Sequence, residues 1–206
     1  KILPVWNLST DEKEWIFDYG DKLTHPVFAY LDYGAERRIL YNKSVFGCNF
    51  AVRKELALQI GGSPPDTYPD DLYYMSGTGE NYIIDKIREL GYKVVYLPNA
   101  VVNHDIPANR LSLQYFIKRQ KRWAVETVFD SFKKSEQFYY AIYIILKSIL
   151  KTFLFSVKDV ALLKKRDLLK FIILRTVRLT ITIIQMIRVL INPKIMKNIK
   201  QTNYLK

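Results

Sequence analysis

The stretch GYKVVYLPNAVVNH, residues 91–104, decides the fold class of this chain. It opens on a glycine and then carries two short runs of β-branched and aromatic residues, one on each side of Pro98. These runs predict two short β segments, Lys93–Leu97 and Ala100–Asn103, separated by a turn. The preceding residues, Glu80–Leu90, predict a helix that stops at the glycine. Helix and strand alternate here, as they do in an α/β protein.

Upstream, the string GCNFAVR, residues 47–53, lies within a run that we expect to be a strand from Val45 to Val52. A short helix, Lys54–Ile60, should follow and end at Gly61-Gly62, because glycine adopts the left-handed cap conformation easily. A strand of small residues beside a Gly-Gly loop would let the backbone approach a ligand closely. The same string also suits a plain strand, helix and turn without any ligand.

The string SGTGEN, residues 76–81, places Glu80 at the start of a helix, after a predicted loop over Ser63–Gly79. A carboxylate at such a junction can act as the base that removes a proton from an attacking hydroxyl. It equally suits the positive end of a helix, where a negative charge is favoured. The residues alone leave both interpretations open.

Two further candidates follow the β segments. His104 stands directly after one, where its imidazole could ligate a divalent metal, although a single histidine is also often packed or hydrogen-bonded. On a predicted helix over Leu111–Lys133, Arg119, Arg122 and Trp123 are three and four residues apart and share one face. Guanidinium groups beside an indole suit a phosphate and a sugar. A basic exposed stripe anchored by the tryptophan would give the same pattern.

Together these strings resemble the second half of the GT-A domain of family 2 glycosyltransferases. The family's strings G-x-N-x-A-x-R, I-G-G, G-E-D and G-Y-K-V-x-Y-x-P-x-A-x-V-x-H are matched, wholly or in part, by residues 47–53, 60–62, 79–81 and 91–104. The family's arginine-rich helix, with its (Q/R)-x-x-R-W element, is similar to residues 119–123. The resemblance implies an α/β fold, with residues 1–137 as part of a GT-A (nucleotide-diphospho-sugar transferase) domain.

The resemblance also implies an activity. This is the inverting transfer of a sugar from a nucleotide-sugar donor to a glycan or lipid-linked acceptor, in surface polysaccharide biosynthesis. Glu80 would be the base, and His104 would lie beside a divalent metal, Mn or Mg. The substrate-binding residues that it implies are Asn49, Gly61, Gly62, Asn81, Arg119, Arg122 and Trp123.

The chain departs from the family's pattern in two respects. Asn81 replaces the second carboxylate of the acidic pair, so Asp70, Asp71 or Asp85 are alternative bases. The β-α-β units and the D-x-D metal string of the family's first half are also not found. We therefore expect a piece of a longer enzyme, inactive by itself, in which residues 45–105 form a half-sheet with one open edge.

The last third of the chain has a different composition. Residues 138–206 contain 14 Lys and Arg against only Asp159 and Asp167, whereas residues 1–137 contain 18 of each charge class, so the whole net charge of +12 lies in the tail. No glycine or proline occurs from Ala108 to Asn192, which predicts an almost wholly helical region. Because the cations alternate with long aliphatic runs, we expect an anionic membrane surface, and no nucleic acid, as the partner.

Two stretches of this tail, Phe138–Val157 and Leu168–Ile191, have the length of a membrane helix but are interrupted by charge. On each, the cations gather on one side of a helical wheel. We expect amphipathic helices that lie flat on the membrane, since a spanning helix would place several cations in hydrocarbon. Apolar burial should supply most of the affinity, and the basic faces should add a preference for anionic lipid. A packed soluble hairpin and true membrane spans are the alternatives.

These features predict a cytoplasmic protein that associates peripherally with the inner face of the cell membrane. The single cysteine, Cys48, allows no internal disulfide and agrees with that compartment. The alternative function is a non-catalytic membrane-binding remnant or accessory chain, which the substitution of Asn81 for a carboxylate favours.

Overall fold

A computed structural model describes residues 1–6, 16, 24–43, 45–63, 79–134, 138–162, 165–192 and 194–195. The chain is a mixed α/β protein in which helices predominate over a small sheet. The described residues form two compact units, one ending at Leu111 and the other beginning at Ser112. The charge pattern places the division one helix later, between residues 137 and 138. Most of the predicted loop Ser63–Gly79, including Asp70 and Asp71, lies outside the described residues.

The described part of the first unit contains two small sheets. In the larger, the strand order is β2-β3-β1-β6, and in the smaller β4 pairs with β5 in antiparallel fashion. The strands are β1 (Ile2–Val5), β2 (Thr24–His25), β3 (Tyr30–Leu31), β4 (Arg38–Ile39), β5 (Val95–Tyr96) and β6 (Val102–Asp105). β1 is antiparallel to β3 and parallel to β6, with Ile2 opposite Val102 and Val5 opposite Asp105.

β5 and β6 confirm the two β segments predicted around Pro98, the second beginning two residues later than expected. Their partners were not predicted. β5 pairs with β4 and β6 pairs with β1, so both partners come from the first 39 residues. The prediction that residues 45–105 form a half-sheet among themselves is therefore wrong, although no described strand pairs with the outer edge of β6.

The strand predicted from Val45 to Val52 is also wrong. Gly47–Asn49 form a single turn of 3-10 helix between Phe46 and Phe50, whose backbones are extended. The apolar side chains of this segment still enter the core, where Phe50 and Val52 pack against buried isoleucines of the following helices. The apolar residues are thus buried without forming a strand, because the side chain of Asn49 holds the turn in place.

Two helices of the first unit agree with the sequence. They are α1 (Lys54–Gln59) and α2 (Gly79–Glu89), and each ends at a glycine with a φ of +81°, Gly61 and Gly91 respectively. After α2, the amide of Tyr92 donates to the carbonyl oxygen of Ile87 at 3.1 Å, which closes a Schellman cap. α2 packs its apolar face on the core through Ile83, Ile84 and Ile87.

The second unit is built from three long helices: α3 (Leu113–Lys134), α4 (Phe138–Leu162) and α5 (Lys165–Ile191). They confirm the helical prediction for this region. All three contribute buried side chains to one core, namely Val125, Val128, Phe129, Phe132, Ala141, Ile145 and Val189. Within α4, the 18 residues Phe138–Phe155 are apolar and long enough to cross a membrane by length and composition, with a mean hydropathy of 1.5, and 17% of them are buried.

Candidate functional site

The Gly47–Asn49 turn and the start of α2 meet in the first unit. A Cβ atom placed on Gly47 would lie 3.8 Å from Oε2 of Glu80, so the carboxylate lies beside the turn. Cys48 agrees with this placement, because burial raises the pKa of its thiol and the negative charge of Glu80 raises it further. Gly47 and Glu80, which are 33 positions apart in the sequence and belong to different predicted site strings, are thereby brought together.

Asn49 has a structural task that the sequence did not indicate. Its Nδ2 donates one hydrogen bond to the carbonyl oxygen of Lys1 and another to that of Ala100, each at 2.8 Å. These carbonyls belong to the residues that lead into β1 and β6, so the amide ties the turn to the parallel strand pair. Both N–H groups are used within the protein. A substrate at Asn49 would therefore meet its Oδ1 atom.

His104 lies on β6 and is oriented by the backbone. Its Nδ1 is 2.8 Å from the carbonyl oxygen of Phe28, and a carbonyl can only accept, so Nδ1 carries the proton. In the neutral ring Nε2 then keeps its lone pair, which is the form that binds a metal. Among the described residues, however, no group of three His, Cys, Asp or Glu side chains could hold a metal ion. His104 is thus suited to be one ligand, and it does not make a metal centre by itself.

Gly61 and Gly62 act as the end of α1. Both have a φ of +81°, and the amides of Gly61 and Gly62 donate to the carbonyl oxygens of Leu58 and Ala57 at 3.0 and 2.8 Å. This is the Schellman pattern, which explains the glycine pair without any ligand. A Cβ on Gly62 would meet no atom of the described residues within 4 Å, so among them the backbone is open on that side, where a substrate could approach.

Two other candidates, Asn81 and Asp85, also lie on α2. Asn81 is exposed on the first turn of the helix, next to Glu80. Asp85, an alternative base, lies 3.7 Å from the guanidinium of Arg88. That arginine in turn donates to the carbonyl oxygens of Leu40 and Lys43. Asp85 therefore belongs to an ion pair on the helix flank, whereas Glu80 lies against the turn.

A cleft of about 360 Å³ opens beside these residues within the first unit. Its walls are mostly apolar and include Ile84 and Ile87, which share a face of α2 with Glu80 because they are four and seven residues further on. Asn49 lines the cleft, and two cations, Arg53 and Lys93, line it as well. The volume is within the range of small-molecule sites. Basic side chains in an otherwise apolar cleft suit a phosphorylated ligand.

Arg53 and Lys93 are functional candidates that sequence reasoning missed. Each ends or interrupts a string already singled out, Arg53 as the last residue of GCNFAVR and Lys93 as the third of GYKVVYLP. The sequence signal that could have identified them is a basic residue at a fixed position in each string. Only the fold shows that the two strings line one cleft.

The second unit holds the remaining candidates. On α3, the guanidinium of Arg119 lies 5.1 Å from the centroid of the Trp123 ring, and Nε of Arg122 donates to Glu126 at 2.8 Å. Burial raises the pKa of Glu126, although the bond from Arg122 opposes that shift. Arg178, on α5, lies 5.9 Å from the same indole. Arg178 belongs to the basic side of this helix, for which the sequence predicts attraction to anionic lipid, and the sequence did not indicate this contact.

Comparisons of the chain with protein families, with curated proteins and with solved structures found no match.

Proposed function

We propose that this chain carries the acceptor-side half of an inverting glycosyltransferase of GT-A type, similar to family 2. It would move a sugar from a nucleotide-sugar to a glycan or lipid-linked acceptor in surface polysaccharide biosynthesis, at the inner face of the cell membrane. The observation that carries the proposal is the position of Glu80 beside the Gly47–Asn49 turn, since Asn49 of that turn lines the same cleft as Arg53 and Lys93. A base, a substrate-sized cleft and cations then lie in one unit.

The reaction follows from these groups. An acceptor hydroxyl bound beside the turn gives its proton to the carboxylate of Glu80 while its oxygen attacks the anomeric carbon of the donor. The bond from that carbon to the diphosphate breaks on the opposite face, and the nucleoside diphosphate leaves with the bonding electron pair. The configuration at the anomeric carbon is inverted. Proton removal by a positioned base contributes about 10²–10⁴ in rate.

The donor's diphosphate needs positive charge. Arg53 and Lys93, which are both exposed on the cleft wall, would contact its oxygens. A divalent cation, Mn²⁺ or Mg²⁺, would neutralise further charge when bound, and Nε2 of His104 is the ligand that the described residues offer it. Asn81, exposed beside Glu80, would hydrogen-bond the sugar.

Within the first unit, the backbone at Gly62 meets no atom of the described residues on one side, where it would face the acceptor. On α3, Arg119, Arg122 and Trp123 offer guanidinium groups beside an aromatic face, which suits a sugar attached to a phosphate.

Sugar transfer by membranes from cells that express the full native chain tests the proposal. Radiolabelled nucleotide-sugars would be supplied as a panel, and transfer would be compared between wild type, Glu80→Gln and a matched control, Glu89→Gln. Glu89 is exposed at the other end of the same helix, in a surface ion pair with Lys86. We expect Glu80→Gln to lower the rate by about 10²–10⁴ and Glu89→Gln to leave it unchanged. Wild-type turnover in Glu80→Gln together with a loss in Asp85→Asn would assign the base to Asp85.

A non-catalytic accessory role is the second candidate, and one observation favours it. Position 81 is an exposed asparagine beside Glu80, so the described start of α2 presents a single carboxylate. In that case no member of the nucleotide-sugar panel would be a donor for the wild-type chain, and Asn81→Asp would not create transfer. The wild type and Asn81→Asp would still bind membranes equally.

A further inference from the structure

The helical unit buries several polar side chains beside its apolar core and exposes many apolar side chains. Its buried polar residues are Gln120, Ser131, Thr152, Asp167, Thr182 and Gln185. The hydroxyls of Thr152 and Thr182 donate to the carbonyl oxygens of Ser148 and Arg178 in their own helices, at 2.9 and 2.8 Å. Water-soluble helical proteins combine an apolar interior with a mostly polar surface, and the apolar surface of this unit departs from that pattern. The exposed surface of α4 and α5 is therefore the feature that needs an explanation.

On α4 the exposed apolar residues form one continuous stripe. Tyr139, Tyr143, Leu146, Leu150, Leu154 and Val157 recur at intervals of three and four residues, and each is between 51% and 67% exposed. The opposite side of the helix is buried in the core through Ala141 and Ile145. Residues at this spacing lie on a single face of a helix, so the stripe points away from the core.

α5 repeats the arrangement. Leu169, Ile172, Ile184, Ile187 and Ile191 are exposed on one side, while Phe171, Leu174 and Val189 are buried on the other. The charged residues of α5 mostly share the buried side: Lys170 pairs with buried Asp167, and Arg178 lies over Trp123 of α3. The sequence predicts that apolar burial supplies most of the membrane affinity and that the basic arc adds attraction to anionic lipid. In the structure, part of the basic arc is engaged by other residues of the unit, and the aliphatic arc faces outward.

The charges beside the stripes decide which partner fits them. Lys147 and Lys151 are exposed along one border of the α4 stripe, each over an aromatic ring of its own helix, and Arg188 is exposed on α5. A second copy of the chain related by two-fold symmetry would bring the same cations together across the interface. An anionic headgroup layer complements them, and tyrosines at one end of the stripe suit the boundary between headgroups and acyl chains.

The packing on α3 decides the orientation. α4 and α5 both pack on α3, whose outer positions include exposed Lys118 and Lys121. If α4 and α5 crossed a bilayer, they would draw these cations into hydrocarbon, which is unfavourable. Helices that lie in the membrane plane keep α3 in water and bury only their outer faces.

We propose that the outer faces of α4 and α5 form a monotopic docking surface, which inserts its aliphatic side chains among the acyl chains of an anionic bilayer. Lys147, Lys151 and Arg188 lie at the level of the lipid phosphates, and Arg178 stays inside the protein. The surface binds lipid whether or not the first unit transfers sugar, so its test is separate from that of the activity.

Vesicle flotation of the full chain tests the surface. The vesicles contain phosphatidylcholine with or without 30% phosphatidylglycerol, and the variants are Leu150→Glu with Leu154→Glu against Leu58→Glu. Leu58 is the matched control, because it is an equally exposed leucine, 69% against 57% and 58%, on a helix of the first unit. We expect the double variant to bind anionic vesicles at least tenfold more weakly and Leu58→Glu to bind like wild type. Equal flotation of both variants would overturn the proposal.

Two further measurements separate the alternative occupants and orientations. The first is sedimentation equilibrium in detergent-free buffer. If the wild type is a dimer and the double variant is a monomer, the surface binds a second copy and the proposal is overturned. Spin labels on single cysteines at positions 139, 146 and 154, in a Cys48→Ser background, report depth in the bilayer. Equal depths support helices in the membrane plane, and depths that change steadily along α4 would show a span and overturn it.

Discussion

The guanidinium of Arg178 lies 5.9 Å from the centroid of the Trp123 ring, and that of Arg119 lies 5.1 Å from the same ring. Trp123 is on α3 and Arg178 is on α5, so the indole joins two helices that are far apart in sequence. A cation over an indole is attracted by the ring's electron-rich face. The contact explains why a basic side chain of α5 points toward the protein.

We expect this contact to be measurable as a coupling in the stability of the helical unit. Arg178→Gln removes the charge, Trp123→Leu removes the ring, and the double variant completes a cycle that isolates the pair from their other contacts. The free energy of unfolding in urea should give a coupling of about 1 kcal/mol. Arg188→Gln removes an exposed cation of the same helix and is the control. Its coupling energy with Trp123→Leu should be too small to measure.

His25 should make the first unit sensitive to mild acid. The side chain is 1% exposed, its Nε2 donates to the carbonyl oxygen of Ile16 at 2.8 Å, and its ring stacks on Phe28. Burial lowers the pKa of His25 from 6.5 to about 4, so the folded state favours the neutral ring. As the pH falls below 6.5, the unfolded chain gains a proton that the folded chain does not bind. Stability is therefore lost between pH 6.5 and pH 4, by up to about 3 kcal/mol.

The measurement for His25 is the free energy of unfolding of wild type and His25→Gln across that pH range. Glutamine keeps a donor near the position of Nε2 and does not titrate. The variant should start less stable at pH 7, and the difference between the two proteins should shrink as the pH falls toward 4. A difference that stays constant over the range would mean that His25 does not resist protonation in the folded state.

Gly62 should be required because its backbone lies in the left-handed region, which favours glycine. Its φ is +81°, and a Cβ would meet no atom of the described residues within 4 Å, so the expected cost of a side chain is backbone strain. Gly62→Ala should lower the free energy of unfolding by about 1 kcal/mol, and Gly62→Asn by less, since asparagine tolerates the left-handed region. Gly47→Ala is the control: its φ is not positive and the added Cβ would be 3.8 Å from Glu80, an unstrained contact. Equal losses at both positions would argue against the cap.

Local chemistry made the helices and their ends predictable. α1, α2 and α3 begin and end within two residues of their predicted bounds, because capping glycines and apolar spacing act over one or two turns. The strand predicted across the Gly47–Asn49 turn failed for a related reason. The turn is held by Asn49 through carbonyls that lie 48 and 51 residues away, and no local pattern contains that information.

The polarity of α5 shows a second limit of sequence reasoning. A helical wheel separates a basic arc from an aliphatic arc, but it does not say which of the two faces the protein. The contact of Arg178 with Trp123 and the pairing of Lys170 with Asp167 decide this, and both depend on packing. For the candidate site, the strings identified Glu80 and Asn49 separately, and the fold brought them to the same turn.

The last prediction concerns Asn49, for which the resemblance and the structure suggest different tasks. In the structure its Nδ2 group donates to the carbonyl oxygens of Lys1 and Ala100, which joins the turn to β1 and β6. Asn49→Ala should therefore cost about 2 kcal/mol in the free energy of unfolding, since two hydrogen bonds are lost. Asn49→Asp should cost more at pH 7, because it has nearly the same shape but turns carboxylate oxygens toward two carbonyls.

Acid should partly restore Asn49→Asp, because a protonated carboxyl can again donate one hydrogen bond. Asn103→Asp, at an exposed position of β6, is the matched control and should change stability by less than about 0.5 kcal/mol. Urea unfolding at pH 7 and pH 4 measures all three variants. If Asn49→Asp is as stable as wild type while nucleotide-sugar affinity falls, the amide is directed at a ligand in solution. A loss of stability with unchanged affinity would assign Asn49 to holding β1 beside β6.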